Sequence, residues 1–253
     1  MRVVLLGAGR VSTHLQKALI RAGHKVCAVW SPTRGTTHDI ASLPTDADIY
    51  IIAVKDSALQ DVIRQAIKGR EESLFVHTAG SMSISVFDGL ARHCGVLYPM
   101  QTFSMEREVD FRQIPLFIEG DDPRLRSIAE SLSEHVYELS TDDRRYLHLA
   151  AVFACNFANH CYTLAADVLA RKGLPFDVML PLVDETARKV HELSPKDAQT
   201  GPAVRGDQNV IGRQSALLSG TAKAVYELMS TSIQEYQKQY DQLRLKEDKS
   251  HRV

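Results

Sequence analysis

The chain opens with an apolar run that breaks into Gly-Ala-Gly and then into helical spacing. Residues 2–6 read RVVLL, residues 7–9 GAG, and residues 10–23 RVSTHLQKALIRAG, with Val11, Leu15, Leu19 and Ile20 at helical period before a stop at Gly23. An unbroken apolar run with β-branched content suits a strand buried on both faces. Such strands belong to parallel sheets with helices covering each side. The pattern recurs. Strand-like runs are KVCAVW (25–30), DIYIIAV (48–54), SLFVHTAG (73–80), GVLYPM (95–100), PLFIEG (115–120) and VYELS (136–140). Helical spacing falls at 57–69, 85–92 and 123–135. The expected fold class is therefore α/β, with a mostly parallel sheet.

Beyond residue 140 the strand patterns stop. Thr141 is placed to cap a helix, and Asp142 and Asp143 suit its positive end. A helix of roughly 30 residues is expected from there to Lys172, closed by Gly173 and Pro175. Further helices are expected near 176–193, 207–219 and 221–246, with the tail KEDKSHRV frayed and solvated. The expected organisation is a sheet domain over 1–140 and an all-helical domain over 141–253.

With 253 residues and a net charge of -1, the chain carries no overall field to recruit nucleic acid or an anionic membrane. No apolar run approaches the roughly 20 residues that span a bilayer. Met1 leads straight into a strand without a secretory pattern, so a cytoplasmic protein is expected. Cys27, Cys94, Cys155 and Cys161 form no C-x-x-C and read as reduced core residues. The histidines lack ligand spacing, so no metal is expected.

Gly7–Ser12 (GAGRVS) fits G-x-G-x-x-G except at its last position, in the strand-to-helix context that pattern requires. Gly7 permits the turn, Gly9 lets backbone approach a pyrophosphate, and Ser12 keeps helix and strand close. Gly7, Ala8, Gly9, Arg10, Val11 and Ser12 are the expected dinucleotide contacts, through free N–H groups at the helix mouth. An NAD site usually ends its second strand with Asp or Glu for the ribose 2′-OH. Here Trp30 and Ser31 stand there, followed by Thr33 and Arg34. The hydroxyls of Ser31 and Thr33 with the Arg34 guanidinium suit a 2′-phosphate, so NADP is the expected cofactor. Ala53 and Val54, leaving the third strand, are expected along its ribose, whereas Asp56 or Ser57 is expected to cap the next helix.

GAGRVS, LYPMQTFS (97–104) and TGPAVRGD (200–207) together resemble a family of NADP oxidoreductases that pair a Rossmann-like domain with a helical C-terminal domain of unknown function. These are distant relatives of pyrroline-5-carboxylate reductase, deazaflavin-dependent NADP reductase and the 6-phosphogluconate dehydrogenase superfamily. The resemblance covers essentially the whole chain. It implies NADP binding, a homodimer through the helical half, and a small-molecule substrate held between the domains.

Four features are expected at that cleft. His77 ends one strand, and Tyr98 ends another at a position where the family carries His. A stripe of His148, Val152, Cys155, Asn156 and Asn159 runs along the long helix. The loop with Thr200, Gly201 and Arg205 resembles the one that closes over substrate in pyrroline-5-carboxylate reductase. Thr200 and Gly201 would hold a carboxylate, and Arg205 would either clamp it or pair with Asp207, whose alternative role is to cap the next helix. β-Hydroxyacid dehydrogenases of the superfamily use K-x-x-x-N here. Val152–Asn156 keeps the Asn and lacks the Lys. That leaves His148 and His77 as candidate acids and Asn156 to orient substrate or nicotinamide, and it favours an imine or small oxo acid. A non-catalytic NADP-binding sensor, and deazaflavin-coupled NADP reduction, are the competing readings.

Overall fold

The computed structural model describes the backbone of residues 1–250 and the side chains of residues 1–243. Seven strands form one sheet: β1 (Arg2–Leu6), β2 (Lys25–Trp30), β3 (Ile49–Ile52), β4 (Leu74–His77), β5 (His93–Pro99), β6 (Leu116–Glu119) and β7 (Val136–Glu138). Their spatial order is β2-β1-β3-β4-β5-β6-β7. Every neighbouring pair is parallel except β5–β6. The link between β5 and β6 holds only a 3-10 turn at Phe111–Gln113, so the chain runs back beside itself. Crossover helices α1 (Arg10–Arg21), α2 (Asp56–Ile67) and α3 (Pro123–Leu132) cover the sheet.

Alternation along each strand divides the apolar runs between two cores. Val3, Leu5, Ile49, Ile51 and Val76 pack with Leu15 and Leu19 of α1 and with Leu125 and Ile128 of α3. Val4, Leu6, Tyr50, Ile52 and Phe75 pack with Leu59 and Ile63 of α2. Burial on both faces explains why these strands are unbroken apolar runs. Reversal of winding between β2 and β3, on either side of β1, creates a switch point at the carboxyl ends of β1 and β3, where open α/β sheets bind ligands.

The chain divides into two compact units, Met1–Ala158 and Asn159–Val253. The last strand ends two residues before the boundary read at 140, but α4 (Thr141–Ala151) stays with the sheet unit. Arg144 is the reason. Its side chain, 1% exposed, ion-pairs with Glu119 at the end of β6 and donates to the Met82 carbonyl at 2.6 Å and the Thr141 hydroxyl at 3.2 Å. The capping expectation is corrected by one residue. Ser140 caps α4, accepting from the Asp143 N–H, whereas Thr141 donates its N–H and hydroxyl to Glu119.

The single 30-residue helix is also corrected. A π-helical segment, Val152–Phe157, follows α4, and α5 spans Ala158–Ala170. In the helical unit come a 3-10 turn at Phe176–Met179, α6 (Leu180–Glu192), α7 (Gln208–Ser215) and α8 (Gly220–Ser250). Asp207 caps α7, accepting from the Val210 N–H at 3.1 Å. No residue of α5 or α6 is buried. The frayed tail expected over 246–253 lies outside the described side chains, and its backbone is helical as far as Ser250. The four cysteines are free and half-buried, and Cys27 and Cys94 pack against the second core. Among the described residues no helix is long and apolar enough to cross a membrane, and no cluster of three metal-ligating side chains occurs.

Candidate active site

The turn after β1 is built for close approach. Gly7 has φ +117°, and a Cβ there would lie 2.2 Å from the Ala53 carbonyl oxygen at the end of β3. Only glycine lets the two strand ends meet. A Cβ on Gly9 would meet nothing within 4 Å. That space is where backbone could approach a diphosphate. Gly9 is the N-cap of α1, no side chain caps the helix, and its first turn holds no acidic residue. Its leading N–H groups and positive end therefore stay available for an anion. Ser12 is 1% exposed, and its hydroxyl donates to the Gly7 carbonyl at 2.6 Å. It braces the turn from behind, and Ala8 packs against the core.

At the end of β2, Ser31 is buried and its hydroxyl accepts from the N–H groups of Thr33 and Arg34, both at 3.4 Å. Gly35 permits the fold-back, since a Cβ there would lie 2.3 Å from the Val29 carbonyl oxygen. Ser31 thus shapes a loop that displays Thr33 and Arg34 in solvent. The Arg34 guanidinium has no hydrogen-bond or ion-pair partner among the described residues. At the end of β3, Val54 packs against the second core. Asp56 does not cap α2, whose N-cap is Lys55; it accepts the Ser81 hydroxyl instead.

A cleft of about 630 Å³ opens beside α1. Arg10 and Val11 line it from the helix mouth, Tyr98 and the segment Met100–Phe103 from the end of β5, and His148, Cys155 and Asn156 from α4 and the π segment. Five expected site residues therefore converge: Arg10, Val11, Tyr98, His148 and Asn156. His14 of α1 fixes the far wall by donating from Nε2 to the Ser104 carbonyl at 2.8 Å and packing on Phe103. Tyr98 is 8% exposed, and its hydroxyl lies 3.0 Å from Nδ1 of His148. The expected helical stripe is corrected. Wider π turns shift the phase, so Cys155 and Asn156 line the cleft while Val152 does not, and Asn159 falls in the second unit.

His77 does not join them. It is fully buried at the end of β4, stacked on Phe87, with Nδ1 accepting from the Ala79 N–H at 3.2 Å. Burial first, then the charge of Arg144, lowers its pKa to about 4. Near neutrality it is uncharged, and it lies buried outside the lining of the cleft, which removes it as the acid there. Unfolded, the imidazole titrates near 6.5, so between about pH 6.5 and 4 the unfolded chain binds the extra proton. The stability contributed by neutral His77 is fully present above pH 6.5 and is lost as pH falls through 4. We expect a loss of about 3 kcal/mol from this group across that window. Urea unfolding at a series of pH values should show a flatter profile for His77→Phe, and an unchanged profile would refute the assignment.

In the helical unit, Thr200 and Arg205 are exposed and Gly201 has φ +108°. Asp207 caps α7, and no Arg205–Asp207 ion pair forms among the described residues. Sequence reading missed Gln101 and Thr102, which leave β5 at the carboxyl edge of the sheet, the position that should have marked them.

The Rossmann-like domain family matches residues 1–101, and the family described as a domain of unknown function (DUF2520) matches residues 114–233. A crystal structure from Bacteroides fragilis, of a protein described as a putative NADP oxidoreductase, is 49% identical. It covers 92% of this chain and 98% of its own, with a TM-score of 0.88. Pyrroline carboxylate reductase of Plasmodium falciparum, with NADP bound, is 13% identical over 92% of this chain and 98% of its own, TM-score 0.57. Reductive aminase of Aspergillus terreus, in complex with NADPH and ethyl levulinate, is 12% identical over 92% and 94%, TM-score 0.67. These last two share the fold. No curated protein matches the sequence.

Proposed function

The chain belongs to the family that joins a Rossmann-like domain to the DUF2520 domain, and from that premise we propose that it is an NADP-dependent oxidoreductase acting on a small, carboxylated imine or oxo acid. One observation carries the reading: the uncapped mouth of α1, with open space over Gly9, enters the cleft that His148 and Asn156 line. The backbone N–H groups of α1 hold the diphosphate, and the free guanidinium of Arg34 takes the 2′-phosphate. When bound, the reduced nicotinamide supplies a hydride. Asn156 offers both a donor and an acceptor to orient substrate. Within the helical unit itself, the exposed Thr200 hydroxyl, the Gly201 backbone and the Arg205 guanidinium are proposed as a carboxylate-binding loop.

Isothermal titration with both cofactors tests the reading. NADP should bind at least ten-fold more tightly than NAD, because a charge-assisted bond contributes about 1.5–3 kcal/mol. Arg34→Ala should abolish that preference and leave NAD affinity unchanged. Equal affinities in the native protein would sink the NADP assignment. Val152, standing where β-hydroxyacid dehydrogenases of the superfamily carry lysine, favours a second reading as a non-catalytic NADP sensor. Tight NADP binding without turnover across a panel of oxo acids and cyclic imines would select it.

We also propose a homodimer through the helical unit. Leu182, Leu228, Tyr236 and Leu243 are exposed, and no residue of α5 or α6 is fully buried. A bundle without its own core needs a partner surface. Sedimentation equilibrium should give twice the chain mass of 28.2 kDa, and a monomer at micromolar concentration would refute it.

A further inference from the structure

We propose that Tyr98 holds His148 in the tautomer protonated at Nε2, so that the imidazole presents a fixed hydrogen-bond donor to the cleft. The assignment deepens the oxidoreductase reading, and it rests on that reading for the use made of the donor.

Geometry comes first. Tyr98 Oη lies 3.0 Å from His148 Nδ1, and the rings meet edge to face at 78° with centroids 5.8 Å apart. The only other hydrogen-bond partner of the hydroxyl among the described residues is Met100 Sδ at 3.7 Å, a weak acceptor. A phenol titrates near 10, far below the N–H of a neutral imidazole, and an imidazole nitrogen accepts far better than a thioether. The shared proton therefore sits on the oxygen and points at Nδ1. Burial first, opposed by the charge of Arg144, raises the Tyr98 pKa, which keeps the hydroxyl protonated. With Nδ1 occupied as an acceptor, the neutral ring must carry its own proton on Nε2.

The surroundings close one edge of the ring and leave the other open. A Cβ on Gly80 would lie 2.6 Å from His148 Nδ1 and 3.0 Å from Tyr98 Cε2, so the backbone after β4 walls in the Nδ1 side. Nε2 has no hydrogen-bond partner among the described residues, and His148 lines the cleft. Tyr98 is thus a positioning residue, and the group that meets substrate is His148. As charge develops on the substrate heteroatom during reduction, the Nε2–H donates a hydrogen bond to that atom, and the proton that completes the product comes from solvent.

The test uses the full chain labelled with 15N-histidine, free of any ligand, and long-range 1H–15N correlation NMR above pH 8, with His148 assigned from its absence in His148→Gln. The native protein should show His148 wholly as the Nε2–H tautomer, with an Nδ1 resonance displaced by the hydrogen bond it accepts. In Tyr98→Phe that resonance should move to the free pyridine-type position, and Gly80→Ala, which pushes the rings apart, should shift it the same way. A native His148 protonated at Nδ1, or an Nδ1 resonance indifferent to Tyr98→Phe, overturns the proposal; the native spectrum alone decides if a variant does not fold. Failure of the oxidoreductase reading has a different signature, NADP bound and nothing reduced, and leaves the tautomer result standing.

Discussion

Gly7→Ala should unfold at markedly lower urea concentration than the native protein, while Gly9→Ala, two residues on, should unfold with it. The added methyl at Gly7 meets the Ala53 carbonyl oxygen at 2.2 Å, and φ is +117°. The backbone conformation costs roughly 1–3 kcal/mol for a non-glycine residue, and forcing β1 and β3 apart adds about 1–3 kcal/mol more. Gly9 has extended backbone at φ -85°, ψ -173°, and open space around it, so its methyl should change stability by no more than about 0.5 kcal/mol. Its effect should fall on the cofactor instead, with NADP affinity reduced at least ten-fold because the methyl fills the space a phosphate would occupy. Native-like NADP affinity in Gly9→Ala would remove the diphosphate from this turn.

Arg144→Ala should cost about 3–5 kcal/mol, the range for removing one partner of a buried ion pair. Glu119 would be left partly buried without its cation, and the bonds to Met82 and Thr141 would go. Burial raises the Glu119 pKa, but the Arg144 and Thr141 hydrogen bonds outweigh it and hold the carboxyl below its usual range. Its stabilisation is therefore present above about pH 4.5 and fades as pH falls through the lowered folded value. Pairing Arg144→Met with Glu119→Leu should recover most of the loss, since no charge is then stranded. A loss under about 1 kcal/mol in the single variant would show that α4 is held by packing rather than by this pair.

The site divides along the same physical line. Gly7, Arg10 and Val11 were legible because a strand-turn-helix pattern is local and its chemistry is carried by backbone. Arg144 was not, because its role depends on Glu119 and Met82, which the chain places in other elements. The Ser31 hydroxyl points, by residue type, to a 2′-phosphate, yet it accepts from the Thr33 and Arg34 N–H groups, the common fate of serine in turns. The strand-end position of His77 points to an acid, and only the depth of its burial beside Arg144 shows that it stays uncharged and out of the cleft. Tyr98 and His148 were both picked out, separately. Their contact spans fifty residues of sequence and depends on the absence of a side chain at Gly80.

Periodicity and turn chemistry alone determined the doubly covered sheet, the glycine turn and the change to helices after the last strand. These are nearest-neighbour properties: burial on two faces demands unbroken apolar strands, and a tight turn demands glycine. The tertiary structure decided which side chains face the cleft, which protons remain available and where the helix slips into π geometry. Those depend on dielectric, distance and the partners brought together by folding, none of which is written in the order of residues along the chain.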